Sequence, residues 1–74
     1  MTDILGKTVE IGDKVVYAKY RLSTTIFAIG EIDSFTKTMA RIKNDGNVKL
    51  FYKIEENETE EHINKMIKIF QRLQ

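Results

Sequence analysis

The chain has 74 residues, 42% of them hydrophobic and 31% charged, with a formal net charge of +1. That length holds one domain with one modest core, and the absence of Cys and Pro excludes disulfides, thiol nucleophiles and cysteine-based metal cages, as suits a reducing cytoplasm. No apolar run approaches the roughly 20 residues of a membrane span, and Asp3 stands where a signal peptide carries basic residues, so the expectation is a soluble, cytoplasmic protein without a membrane partner.

In chain order, Gly12-Asp13 marks a turn. Val15, Val16, Tyr17, Ala18 and Tyr20 follow as a β-branched and aromatic run, which predicts a first strand over 14–20. Residues 21–24 read as a loop. Thr25 to Phe35 is a second strand long enough to need a bend, and Gly30 in its middle is a position where a coiled strand bends cheaply. Met39 to Lys43 and Asn47 to Ile54 complete four strands. Nothing repeats, so a single domain spans 1–74, with the sheet in 1–54 and the tail in 55–74.

Register follows from polarity, because a slip of one residue exchanges the faces of a strand. A two-residue Asp45-Gly46 turn sets Ile42 opposite Lys49 and mixes core with solvent. A three-residue loop, Asn44-Asp45-Gly46, instead pairs Ile42 with Val48 and Ala40 with Leu50. The same parity one turn earlier pairs Ile32 with Ile42. It leaves Glu31, Asp33 and Phe35 on the outer face beside Lys43, Arg41 and Met39.

The tail supports two readings. Ile63, Met66, Ile67, Phe70 and Leu73 have helical spacing, and Asn57 followed by Glu58, Glu60 and Glu61 resembles a capped acidic first turn. Against one continuous helix, Met66-Ile67-Lys68-Ile69-Phe70 is β-prone, and a four-stranded curled sheet has edges that a fifth strand closes. The reading adopted is a helical turn at 58–64 and a closing strand at about 65–70.

Ile11-Gly12-Asp13-Lys14-Val15 and Gly30-Glu31-Ile32 resemble the hydrophobic-Gly-Asp-x-Val and Gly-x-Val syntax of SH3-like, KOW-type barrels, over about a third of the chain. A longer string resembles small accessory proteins of tailed bacteriophages: Asp3-Ile4-Leu5-Gly6-Lys7, then Val9, Ile11-Gly12-Asp13, Val15-Val16-Tyr17 and the late Met66-Ile67-Lys68-Ile69. In such proteins the late motif closes the barrel; the acidic stretch before it and Gln71-Arg72-Leu73-Gln74 depart from the pattern. The resemblance implies a host cytoplasm and carries no activity with it. The expected fold is mainly β: a small five-stranded SH3-like barrel with a short helical segment in the C-terminal third. The alternative is a four-stranded curled sheet plus a C-terminal amphipathic helix.

No enzyme is expected. His62, the only histidine, lies in an acidic stretch without a second His or Cys for a metal site and reads as a solvated helix residue. Ser23, Ser34 and the threonines lack a base for activation. Glu55, Glu56, Glu58, Glu60 and Glu61 lack the Asp/Asn ladder and central Gly of a calcium loop. The expectation is no catalytic residue, no metal, no cofactor and no small-molecule substrate.

Two binding readings remain. Phe27, Ile29, Phe35, Met39 and Phe51 share the outer parity, and apolar side chains gathered there mark a protein interface, with a host protein or with a second copy. Alternatively a helical tail covers that row as a second core. The other binding class is nucleic acid. Arg41 opposite Lys49 is a like-charge pair that a phosphate would bridge, with Tyr20, Arg21, Lys37 and Lys53 nearby as a basic and aromatic surface. Glu31 and Asp33 compete with it by neutralising Arg41 and Lys43. The charge gradient steers a polyanion only weakly, since residues 1–54 hold nine Lys/Arg against six Asp/Glu, and residues 55–74 three against five.

Overall fold

Alternation in Val15-Val16-Tyr17 sends successive side chains to opposite sides of a strand, and β1 (Lys14–Arg21) forms there, two-faced from the start. It turns back into β2 (Thr24–Phe35) through Leu22 and Ser23, whose φ angles of 50° and 67° give the left-handed pair that a two-residue hairpin needs. Three short strands follow: β3 (Ala40–Ile42), β4 (Gly46–Val48) and β5 (Phe51–Lys53); helix α1 (Thr59–Leu73) ends the chain. The computed structural model describes residues 1–55 and 59–73, Leu73 in its backbone only. All strand pairs are antiparallel, in one open sheet of order β4-β3-β2-β1-β5. The expected mainly β architecture is therefore present, and of the two readings of the tail it takes the helical one.

The sheet is rolled. β4 and β5 sit on its opposite edges, yet only Lys49 and Leu50 join them, and three Cα-to-Cα steps reach at most about 11 Å. The roll is pinned by Asp45 in the β3–β4 turn, which accepts hydrogen bonds from the Tyr17 hydroxyl and the Lys19 ammonium on β1. Those two donors, Lys19 foremost, hold the Asp45 carboxyl below the ordinary carboxylate range. Burial, reinforced by Asp45, pushes the Tyr17 phenol up to about 12.

Rolling creates an inner and an outer core. Val9, Val15, Tyr17, Ile32, Ala40, Ile42, Val48 and Phe51 fill the inside. Val16, Tyr52 and Met66 form the outer core under α1, with Ile4, Phe27, Leu50, Ile54 and Ile63 packed against them. Gly30 lies where the inner wall is tightest. A Cβ there would meet Ile42 Cγ2 at 2.5 Å and Tyr17 Cε1 at 2.9 Å, so the glycine is needed for space rather than for the bend expected of it.

Three local irregularities correct the expected register. Ile32 does face Ile42, but a bulge between Ile32 and Ser34 sets Phe35 opposite Ala40 and turns it inward against the inner core. In the next hairpin Ile42 pairs with Gly46 and Ala40 with Val48, two residues from the expected partners. The loop is Lys43-Asn44-Asp45, with Asn44 at φ 65° and an Asp45 N–H to Ile42 O bond of 3.0 Å. Finally, the expected fourth strand breaks at Lys49-Leu50, so Val48 and Phe51, three apart, both point into the inner core.

The closing strand expected at 65–70 does not form, because β5 already pairs with that side of β1, Tyr52 lying opposite Val16. Ile63, Met66, Ile67 and Phe70 then serve as a helical stripe, with Glu60 and Glu61 in the first turn and Arg72 in the last, both favourable to the helix dipole. Asn57 and Glu58, expected to cap the helix, lie outside the described residues, as does Glu56 of the acidic cluster. His62 is not solvated as expected: it is 2% exposed, its ring edge-on to Tyr52 at 4.7 Å between centroids.

The N-terminal segment lines the free edge of β5, the one turned away from β1. The buried Asp3 carboxylate accepts the N–H groups of Leu5 and Lys7 on Oδ1 and that of Lys53 on Oδ2, each at 2.9 Å. Ile4 N–H donates to Phe51 O at 3.2 Å.

Three outcomes follow from this packing. Gly30→Ala should lower unfolding stability by about 1–3 kcal/mol, the usual cost of overpacking, measured by urea denaturation. Asp3→Ala leaves three N–H groups without their acceptor and should cost about 2–3 kcal/mol in the same assay. The raised Tyr17 pKa means that the fold favours the neutral phenol. Its contribution is complete below pH 10 and is lost as pH rises towards 12, so Tyr17→Phe should flatten the stability-versus-pH curve across that window.

Candidate functional site

Side chains on β1 and β2 that lie opposite one another share a face, and the register pairs Val16 with Ile29, Ala18 with Phe27 and Tyr20 with Thr25. Val16 belongs to the outer core, so all six residues line the outer side of the sheet. Helix α1 covers only part of it. Phe70 meets Phe27 edge-to-face, centroids 6.3 Å apart and planes at 87°. Beyond that contact Ile29 is 50% exposed and Tyr20 69% exposed. On the other side of the same hairpin Ile26 is exposed, and at its apex Leu22 is 93% exposed.

Between the hairpin and the C-terminal half of α1 runs a groove of about 390 Å³, walled by Tyr20, Phe27, Ile67 and Phe70. Ser23, Thr24, Thr25 and Gln71 complete its lining. Apolar walls with a few polar groups are the chemistry of a recognition groove, able to bury an apolar side chain and hydrogen-bond the backbone that carries it. Among the described residues, no group of three or more His, Asp or Glu is placed to share a metal ion.

The five residues expected to form one apolar row are divided by the structure. Phe27 and Ile29 do lie on the outer face. Phe51, 2% exposed, and Phe35 belong to the inner core, because the break at Lys49-Leu50 and the bulge before Ser34 each invert the parity. Met39 is half-buried in the β2–β3 turn, where its N–H donates to Thr36 Oγ1 at 2.9 Å and its carbonyl accepts the Thr36 N–H at 2.8 Å.

The expected basic residues are likewise separated. Arg41 lies opposite Asn47, and its Nε donates to Asn47 Oδ1 at 3.4 Å. The Arg41–Lys49 pair is therefore absent, because the register places Lys49 past the end of β4. Lys53 is half-buried and bridged to Asp13 at 3.5 Å. Lys37 and Lys49 are exposed in turns, and Arg21 ends β1 close enough to Asp45 to act on its charge. Lys43 pairs with Glu31 at 3.8 Å, one rung of the competing ion-pair ladder.

Sequence reasoning misses Leu22 and Ile67 as parts of this surface, while Phe70 belongs to the helical stripe that the alternative reading lays over the row of Phe27. Leu22 carried a signal, a bulky apolar residue inside an assigned loop. Ile67 has helical spacing, and its place beside the hairpin depends on the tertiary fold. No curated protein and no solved structure matches the chain. The family model for a domain of unknown function, DUF7205, matches residues 1–69, and the chain belongs to that family.

Proposed function

We propose that this chain is a non-catalytic binding module acting through protein–protein contact, with the outer side of the β1–β2 hairpin and its groove against α1 as the binding surface. One observation carries the reading: Tyr20 and Ile29 on the outer side of the hairpin and Leu22 at its apex, all large and apolar, are left exposed. Gathered apolar exposure of that kind marks an interaction surface, and aromatic anchors such as Tyr20 dominate interface energetics.

The sheet order β4-β3-β2-β1-β5, with a two-residue link between opposite edges, supports grouping the chain with SH3-like small barrels. The resemblance of its Asp3–Lys7 and Val9–Tyr17 segments to phage accessory proteins supports a phage-encoded chain working in the host cytoplasm, on a host protein or on itself. Nucleic-acid binding was motivated by Arg41 facing Lys49, and that juxtaposition is not formed.

A random library of displayed peptides provides the test. Wild-type protein should enrich peptides with one or two large apolar residues, and Tyr20→Ser, a change at an exposed position, should weaken their binding about tenfold or more, as loss of an aromatic anchor does. Enrichment indifferent to Tyr20→Ser counts against the groove. A salt-sensitive shift with single-stranded oligonucleotides that Arg41→Ala weakens would favour the basic side instead.

A further inference from the structure

The direction of each backbone group in β2 is fixed by its neighbours. Across the β1–β5 pair, Ala18 N–H donates to Leu50 O at 3.1 Å and Ile54 N–H donates to Lys14 O at 3.0 Å. Even-numbered residues of β1 therefore face β5, and odd-numbered ones face β2. Their partners there are Gly30, Ala28, Ile26 and Thr24, opposite Val15, Tyr17, Lys19 and Arg21. It follows that the N–H and C=O groups of Thr25, Phe27 and Ile29 point away from β1. Glu31, next in that series, confirms the direction: its carbonyl accepts the Lys43 N–H at 2.9 Å, where the β3 hairpin takes over.

β3 pairs only with Ile32–Phe35. Along Thr25–Ile29, no strand pairing or hydrogen bond among the described residues engages the outward groups, so three donors and three acceptors stand in a row on an unpaired edge. Natural sheets guard such edges with charge, proline or a bulge. This one has none of them. Thr24-Thr25-Ile26-Phe27-Ala28-Ile29 is uncharged and lacks Pro, and the bulge of β2 lies beyond it, between Ile32 and Ser34. A run of this composition docks readily onto another strand.

We propose that this edge pairs antiparallel with the same edge of a second copy of the chain, joining two sheets across a two-fold axis. The proposal rests on the protein-contact reading above and names the partner. Self-complementarity favours the second copy. With the axis at Phe27, Thr25 lies opposite the copy's Ile29 and Phe27 opposite its own counterpart, so all six outward groups find partners. A two-fold contact brings each side chain against its symmetry mate or a near neighbour, and a charged edge would then meet like charge. This segment holds no charge to oppose.

Sedimentation equilibrium combined with amide exchange on the full chain tests it. In the hundreds of micromolar, the wild type should sediment as a dimer, with Thr25, Phe27 and Ile29 amides protected, and dilution should remove that protection. Ile29→Pro deletes one outward donor without touching the β1 ladder. Thr25→Lys adds charge to the same edge, so the test survives if the proline variant does not fold. Both should sediment as monomers with the thermal midpoint of dilute wild type. A monomeric wild type with freely exchanging amides at those three positions overturns the proposal, as does a dimer that both variants leave intact. If the wild type is monomeric but selected peptides still bind in a Tyr20-dependent manner, the second copy falls as partner and the protein-contact reading stands; if both results fail, both readings fall.

Discussion

Three amides converging on one buried carboxylate fix the closing strand of this sheet. Asp3 takes N–H groups from its own turn and from Lys53, and so holds β5 between the N-terminal segment and β1. With β5 secured there, the tail has no place left in the sheet. It becomes a helix, and its stripe makes the second core with Val16, Tyr52 and Phe27. A carboxylate accepting several amides binds through charge-assisted hydrogen bonds, stronger than neutral ones, which suits a chain with no cysteine to form a disulfide.

Much of the sheet was legible because its longest strands obey simple rules. Alternation over Val15–Tyr20, a turn before it and a long β-branched run after it define β1 and β2 nearly to the residue. Parity also gave Ile32 opposite Ile42. What alternation does not record is a single extra residue. The bulge after Ile32 and the break at Lys49-Leu50 each reverse the side on which later residues fall, so Phe35 and Phe51 read as outward and lie inside. Phe27 and Ile29 precede both irregularities, and their face was read correctly. The groove depends on where α1 lands, which no local pattern states. The 3.6-residue period of the tail described the helix correctly, and the likeness of Met66–Ile69 to a closing strand misled because β5 had filled that edge.

Charge plays a local part. Lys19 and Asp45 fasten the roll, Lys7 and Glu55 join the N-terminal turn to the residue before the helix region, and Lys53 and Asp13 bracket the start of β1. The Lys7–Glu55 bond raises the lysine pKa and lowers that of the glutamate, but both groups are exposed, and solvent screens such surface pairs strongly. Pairs formed within residues 1–54 cancel equal charge of each sign, so only the Lys7–Glu55 pair draws on the positive excess of that segment.

The hairpin apex departs from what local preference and burial both dictate. Asn-Gly or Gly-Gly would take the left-handed turn at lower cost than Leu22-Ser23, and a leucine gains nothing from facing water. Folded chains are consistent across levels almost everywhere, and local conflict of this kind concentrates at functional or strained positions. At Leu22 the molecule forgoes some of its own stability, and contact with a partner would relieve the exposure of that side chain.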